Sequence, residues 1–184
     1  MILAVLATLA LGSFWVLEVM RRNSADTTPK SVKGEPDYIV GTFTLVRMST
    51  TGHARYKISG DKLWHYPEND TFEIQQPRLH NLAEDQSPMT LRADRATVEN
   101  IARKVHMYHD VKVDRPAFAA HSHFELNTEY LLVLPDDDIM QTDKAVKIQV
   151  GPSQLTGVGM FANNATLEFR LAKNVQGTFQ TAVH

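Results

Sequence analysis

The sequence contains no cysteine and has almost no excess of charge of either sign. The absence of cysteine excludes disulfide bonds, thiolate nucleophiles, iron–sulfur clusters and every zinc site built on thiolates. The 19 Lys and Arg residues against 21 Asp and Glu residues give a net charge of -2. Without a basic surplus, the counterion release that drives binding to nucleic acid is missing. Nucleic acid is therefore not expected as a partner.

Recognisable catalytic and metal-binding motifs are also missing. The sequence has no GxSxG nucleophile elbow, no HExxH and no GxxxxGK[ST] phosphate loop. His121 and His123 could in principle hold zinc together with His106 or His109, but histidines on the outer face of a sheet explain this spacing more simply. Three consecutive acids, Asp136–Asp138, lack EF-hand spacing and predict a solvated turn. We therefore predict no catalytic residues, no metal and no cofactor.

Long apolar runs are absent except at the start of the chain. Residues 1–17 carry no charged side chain, and Arg21-Arg22 ends the run. About 17–20 helical residues reach about 26–30 Å, enough to cross a hydrocarbon core, so we predict a transmembrane anchor helix over residues 1–20. A cleaved signal peptide and a buried core helix are the alternatives, although the basic flank and cleavage site of a signal peptide are not clear. By charge alone, Arg21-Arg22 would keep the following chain in the cytoplasm.

A polar segment follows the apolar run. Residues 21–37 contain Pro29, Gly34 and Pro36 and no periodic apolar positions, which is typical of a flexible linker. The remaining residues, 38–184, suffice for one domain with its own core and are too few for two large ones. The sequence therefore predicts an anchor over residues 1–20, a linker over residues 21–37 and a folded domain over residues 38–184.

Beyond the linker the dominant sequence period is two. Phe43 and Leu45, and then Tyr56 and Ile58, alternate with their neighbours, which predicts strands with one buried face. The same alternation returns along the rest of the chain, and turn-forming residues such as Gly151-Pro152 separate the runs. The pattern favours many short strands.

One segment allows two interpretations. Val98, Ile101, Ala102 and Val105 have the spacing of an amphipathic helix. The surrounding chain, however, repeats two strand-like stretches around a turn about every 33–37 residues. A helix in one of several equivalent units would be inconsistent with the repeat. We therefore predict an all-β fold, either a sandwich or an open roll.

Seven short motifs follow one another along this β region: Pro36-Asp-Tyr-Ile-Val40, Leu63-Trp-His-Tyr66, Gln76-Pro-Arg-Leu79, Ala93-Asp-Arg-Ala96, His109-Asp-Val-Lys-Val113, Gly157-Val-Gly-Met160 and Asn174-Val-Gln-Gly-Thr-Phe179. In their order, their spacing and their position after an apolar N-terminal run, they resemble the LptC family of lipopolysaccharide transport. The resemblance spans about residues 36–180.

This resemblance implies a fold, a location and partners. The fold would be a twisted open β-jellyroll of repeated antiparallel hairpins, as in LptC and the periplasmic protein LptA. The chain would cross the inner membrane once, with its C-terminal domain in the periplasm, which is opposite to the orientation that Arg21-Arg22 indicates. It would receive lipopolysaccharide from LptF, LptG and the ATPase LptB and pass it to LptA. It would not itself be an enzyme, since LptB hydrolyses the ATP.

The inward apolar positions of such a roll would line a groove for acyl chains, whose exposure to water costs about 0.8 kcal/mol per CH₂. The alternative is that these side chains fill a closed core. The resemblance places lipid contact most directly at Phe43, Ile74, Phe169 and Phe179. The full set of candidates for the lipid-binding groove is Phe43, Leu45, Tyr56, Ile58, Ile74, Met89, Leu91, Phe169 and Phe179.

The edge strands of the roll would hold partners, because unpaired backbone groups at an edge can template another chain. The resemblance implies contact with LptF around residues 38–46 and with LptA around residues 167–179. Gly157 and Gly159 match a family turn, although a tight turn or bulge explains them more simply than direct participation in docking. The candidates for the docking edges are Tyr38, Val40, Gly157, Gly159, Leu167, Leu171 and Val175.

A second function of another class stays open at the level of sequence. The scattered Asp and Glu residues could form a carboxylate pair for glycoside hydrolysis, and sequence alone does not give their separation. The chain would then be a membrane-anchored periplasmic hydrolase acting on envelope glycan.

Overall fold

The computed structural model describes residues 34–49, 52–82, 88–99, 103–117 and 122–179. The predicted anchor over residues 1–20 and most of the predicted linker lie outside these residues. The described part of the chain contains no helix with the length and apolar character needed to span a membrane.

The described residues form 13 β-strands and no helix. The strands are β1 (Tyr38–Val40), β2 (Phe43–Met48), β3 (Ala54–Gly60), β4 (Lys62–Tyr66), β5 (Thr71–Gln75), β6 (Arg78–Asn81), β7 (Thr90–Arg92), β8 (Arg95–Glu99), β9 (Lys104–Arg115), β10 (Phe124–Leu134), β11 (Ile139–Val150), β12 (Ser153–Asn163) and β13 (Glu168–Thr178). The predicted all-β fold is confirmed. Residues 95–99 and 104–115 are strands, so the helical alternative for this segment is wrong in the described residues.

The strands form one antiparallel sheet that folds into two layers. The first layer has the order β1-β4-β5-β8, and the second layer has the order β2-β3-β6-β7. Both layers continue into β9, because β8 pairs with residues 104–108 of β9 and β7 pairs with residues 112–114. The long strands β9 to β13 follow in sequence order and belong to both layers. The result is an open roll with β1 and β2 at its N-terminal edge and β13 at its C-terminal edge.

Irregular backbone marks the corner where each long strand passes from one layer to the other. Positive φ angles occur at His109 (62°) and Asp110 (45°) in β9, at Gly159 (74°) in β12 and at Asn174 (53°) in β13. The pairing register of β10 and β11 with their neighbours also shifts at this corner, after Thr128 in β10 and after Thr142 in β11. Bulges of this kind bend a strand and increase its twist. They therefore fold the long strands over and bring the two inner faces together.

The core lies between the two layers and takes side chains from both. Met107 and Leu131 of the first layer, and Leu91, Val111 and Val113 of the second, have no exposed surface. Burial of such side chains is the main favourable contribution to folding, about 1.5–3 kcal/mol for each one. The alternation of apolar residues that predicted the strands therefore also identifies the inner face.

Candidate functional site

An unbroken row of inward-facing residues crosses the first layer from edge to edge. Residues directly opposite one another on neighbouring strands lie on the same face of a sheet, so the strand register defines the row. The row runs through Tyr38, His65, Phe72, Val98, Val105, Val133, Met140, Ala162 and Phe169.

The second layer carries a matching row. It runs through Leu45, Ile58, Leu79, Leu91, Val113, Leu126, Ile148, Leu155 and Gly177. The two rows face each other across the core. Apart from His65, the two rows together form one apolar lining that continues through nine strands in each layer.

Exposure along this lining changes from its middle to its ends. Tyr56, Ile58, Ile74 and Leu91, which the sequence predicts as groove residues, are at most 5% exposed. Phe43 and Met89 are partly buried and pack against the core. The remaining three predicted groove residues are exposed, at 51% for Leu45, 45% for Phe169 and 80% for Phe179. The middle of the lining is thus protein core, and its two ends lie open.

Phe179 and Leu155 approach each other at the C-terminal end of the lining. A Cβ atom built on Gly177 would lie 3.0 Å from Leu155 Cδ1 and 3.0 Å from Phe179 Cε2. The missing side chain therefore makes the space in which the Phe179 ring lies back over the inner face. The exposed Phe179 ring therefore adds to the apolar lining at the end of β13.

The predicted docking residues of the C-terminal edge occupy different places. Leu171 and Val175 lie on β13, and Val175 is 52% exposed. Leu167 precedes β13 in the left-handed region (φ 57°) and is 86% exposed. Gly157 and Gly159 lie on β12, one strand in from the edge, and Leu171 covers Gly157 at 3.2 Å from its built Cβ. The structure therefore groups Leu171 and Val175 at the edge and places the glycines behind them.

The N-terminal edge is organised around His65. Its imidazole stacks on the ring of Tyr38 with the centroids 4.7 Å apart, and its other neighbour is Phe72, also at 4.7 Å. His65 Nδ1 is 2.7 Å from Asp37 Oδ1, and His65 Nε2 is 3.1 Å from Asp70 Oδ1. When the ring is protonated it donates both hydrogen bonds, and it then links the start of β1 to the turn after β4.

These contacts raise the pKa of His65 above its ordinary value of 6.5. The hydrogen bond to Asp70 is the largest cause, burial opposes it, and the hydrogen bond to Asp37 adds to it. Two carboxylates therefore stabilise the charged form of the ring. Val40 lies on the same strand as Tyr38 and is 41% exposed, so the whole of this short edge strand is accessible.

A charged contact joins the free rims of the two layers, and the gap between these rims is called the seam below. Arg47 of β2 and Arg55 of β3 lie 4.0 Å and 3.7 Å from the carboxylate of Asp136 in the β10–β11 turn. Arg55 also donates a hydrogen bond to the carbonyl oxygen of Pro135 at 3.5 Å. The predicted solvated turn at Asp136–Asp138 is therefore in part an ion-pair partner of the other layer.

The functional candidates that the sequence did not predict are His65, Arg47, Arg55 and Asp136. A signal for Arg47 was present, because a charged residue continues the inward alternation of Phe43 and Leu45 on β2. The ion pairs of Arg55 and Asp136 depend on contacts between distant parts of the chain, which carry no local signature.

The histidines considered for zinc have other roles where the structure describes them. His106 lies on the outward face of β9, and its Nδ1 shares a hydrogen bond of 2.8 Å with the Tyr130 hydroxyl. His123 Nε2 lies 2.6 Å from Asp114 Oδ2. His121 lies outside the described residues, among which no cluster of three potential metal ligands is found.

Comparison with known proteins gives a family model that matches the sequence and a solved structure with a similar fold. A family model described as "Lipopolysaccharide-assembly, LptC-related" matches residues 2–180. No curated protein matches the sequence. The fold is similar to the crystal structure of LptH from Pseudomonas aeruginosa, described as the LptA-homologous periplasmic component of the lipopolysaccharide transport device. The TM-score is 0.56 at 5% sequence identity, covering 68% of this chain and 95% of that chain. Since the family model spans nearly the whole sequence, the chain belongs to the LptC-related family of lipopolysaccharide-assembly proteins.

Proposed function

We propose that this protein is a non-enzymatic conduit that receives lipopolysaccharide from LptF, LptG and the ATPase LptB and passes it to LptA. Membership of the LptC-related family supports lipopolysaccharide transport in general. The route through this chain would be the space between the two layers. Acyl chains would lie along the apolar lining, and the sugar head would stay in water.

The observation that carries this proposal is the apolar lining that reaches both edges and stays exposed there. Leu45 at one end and Phe169 and Phe179 at the other are each more than two-fifths exposed, although all three continue the inward rows of the core. An apolar surface left open to water is unfavourable by about 25 cal/mol per Å². Large exposed apolar side chains at the two ends of one lining are typical of a surface that continues into a partner.

The edge strands would provide that continuation. Tyr38, Ile39 and Val40 of β1 and Val175 of β13 are exposed apolar residues on strands with one neighbour each. A partner strand added at either edge would extend the sheet and the lining together. We propose LptF at the N-terminal edge and LptA at the C-terminal edge.

The proposed location follows from the family and from residues outside the described part. Residues 1–20 would anchor the chain in the inner membrane by a single helix, and residues 21–37 would link it to a periplasmic domain beginning at residue 38. The conduit would then stand next to the transporter that supplies its lipid.

A pair of variants on opposite faces tests the conduit. Phe169 belongs to the inward row, while Phe161 lies on the outward face of β12, where Arg170 stands 5.6 Å over its ring. In cells depleted of their own protein of this family, we expect Phe169→Asp to fail to restore growth although the protein is folded and present. We expect Phe161→Asp to restore it. Full function of Phe169→Asp would overturn the proposal.

The hydrolase alternative predicts a different pattern. A hydrolase would lose its function on replacement of one catalytic carboxylate and would tolerate a change in the apolar row. Outward Glu73 is one of the carboxylates available to such a mechanism. The conduit predicts that Glu73→Gln is tolerated.

A further inference from the structure

Ion pairs from Arg47 and Arg55 of the second layer to Asp136 of the first layer close the seam. Arg47, Arg55 and Asp136 are each about one-third exposed at their side chains. In the part of the chain that the structure describes, the two layers have no strand pairing with each other at these rims. These ion pairs and the hydrogen bond from Arg55 to Pro135 are polar links across the seam.

A β-bulge directs Arg55 towards the seam. In the register of β2 and β3, Arg47 pairs with Tyr56 and Met48 pairs with Ala54, so Arg55 is the extra residue of the bulge. Strict alternation would place Arg55 outward, because its neighbour Tyr56 is buried in the core. A bulge changes the direction of a side chain in this way. The backbone of β3 thus brings a second guanidinium next to the inward Arg47.

The ion pairs across the seam are long and solvated, so an exchange of anions is feasible. The closest approach is 3.7 Å, beyond the range of a charge-assisted hydrogen bond. Ion pairs with this exposure add little to stability. Two converging guanidinium groups, in contrast, suit a phosphate, whose oxygen atoms accept two parallel hydrogen bonds from each. A phosphate would therefore bind the guanidinium groups of Arg47 and Arg55 more strongly than the Asp136 carboxylate does.

An apolar cleft lies directly beneath the ion pairs. Leu79, Met89 and Leu91 line it from the second layer, and Val133 and Met140 line it from the first. Its volume of about 60 Å³ is room for about two water molecules. An acyl chain needs more room, so its insertion would move the rims apart and break the contacts to Asp136.

We propose that Arg47 and Arg55 form a binding site for the phosphate groups of an acylated glycolipid, and that Asp136 occupies this site in the free protein. The lipid phosphate displaces the Asp136 carboxylate as the acyl chains enter the cleft, so the seam opens for a phosphorylated amphiphile. This inference rests on the proposed function and assigns the head-group contacts of the conduit.

Binding of defined lipids to the purified protein tests the proposal. The probes are diphosphorylated lipid A, the same lipid with both phosphates removed, and inorganic phosphate alone. We expect Arg55→Gln to weaken binding of the diphosphorylated lipid about tenfold, the size expected for the loss of a charge-assisted hydrogen bond. Asp136→Asn removes the competing charge and should strengthen it. Because the ion pair that each variant removes adds little to stability, both variants should change the binding of the dephosphorylated lipid much less than that of the diphosphorylated lipid.

Two controls keep the outcome interpretable. Arg78 lies on the outward face of the same layer and is exposed, so Arg78→Gln should bind all probes as the parent protein does. If Arg55→Gln is unstable, Arg55→Lys retains the charge but lacks the paired hydrogen bonds, so it should bind the diphosphorylated lipid more weakly than the parent protein. Equal binding of both lipids by every variant would overturn the phosphate site and leave the conduit standing. If the parent protein binds neither of the two lipids, the proposed function itself is overturned. If it binds inorganic phosphate as tightly as the diphosphorylated lipid, a site for a lipid phosphate is contradicted.

Discussion

The ring of Phe43 lies against the backbone of Gly60, so close that a Cβ atom added there would come within 3.0 Å of Phe43 Cε1. The same atom would lie 2.5 Å from Ile74 Cγ2 in the opposite layer. Gly60 ends β3 opposite Phe43 of β2. The absence of a side chain at this position therefore lets the two layers meet near the N-terminal edge.

The first prediction follows from this contact. Gly60→Ala should lower the free energy of unfolding by about 1–3 kcal/mol, because overpacking displaces Phe43 or Ile74. Urea denaturation measures the change. Gly41 has no atom within 4 Å of its built Cβ, so Gly41→Ala is the matched control and should stay within about 0.5 kcal/mol of the parent. Equal effects of the two variants would show that the layers do not pack as described.

The second prediction concerns the difference between the middle and the end of the apolar lining. Leu131 has no exposed surface and Leu45 is 51% exposed. Leu131→Ala should cost about 2–5 kcal/mol of stability, the usual range for a buried leucine. Leu45→Ala should cost less than about 1 kcal/mol. A large loss from Leu45→Ala would mean that the end of the lining is closed.

The third prediction is a dependence of stability on pH that arises at His65. Because folding raises the pKa of His65 above 6.5, the charged ring binds its proton more tightly in the folded state than in the unfolded chain. The stabilisation is therefore fully present below pH 6.5 and is lost as the pH rises through the higher folded value. Urea midpoints at a series of pH values measure it.

The variant His65→Gln isolates this contribution, since glutamine does not titrate. The fall in stability above pH 6.5 should be smaller in the variant than in the parent. An identical pH dependence in both proteins would show that the contacts of His65 to Asp37 and Asp70 do not link β1 to the sheet.

The fourth prediction addresses the C-terminal edge strand. Val175 shares the inward face of β13 with Gly177, whereas Gln176 lies opposite Thr156 on the outward face. An inward-pointing charge on an edge strand blocks the addition of another strand. Val175→Lys should therefore abolish binding of LptA in a pull-down from purified components, and Gln176→Lys should leave it intact. Retention of LptA by Val175→Lys would place the contact elsewhere.

Local sequence patterns predict the strands of this protein better than they predict its layers. Alternation identified Tyr56, Ile58, Ile74 and Leu91 as inward, and all four are in the core. Strict alternation fails across the corner, because Leu126 and Leu131 are five residues apart and are both inward. A register shift between Thr128 and Tyr130 reconciles them, and such a shift depends on pairing with strands that are distant in sequence.

The candidate site was predictable only in part for the same reason. Phe169 and Phe179 could be named from their pattern and from the family resemblance, but their exposure depends on β13 having no second neighbouring strand among the described residues. The contact between Arg55 and Asp136 joins residues 81 positions apart through a bulge. Apolar periodicity does not encode a polar contact of this kind.

Photo-crosslinking to lipopolysaccharide tests the conduit most directly. A photoreactive residue is placed at inward Phe43 or Phe169 and, in separate proteins, at their outward neighbours Thr44 and Arg170. All four positions lie on the edge strands β2 and β13, and both Phe169 and its outward neighbour Arg170 are exposed, so access of the probe to solvent does not by itself distinguish the two faces. The account predicts adducts with lipopolysaccharide from positions 43 and 169 and none above background from positions 44 and 170. Adducts of equal yield from both faces, or from the outward positions alone, would contradict it.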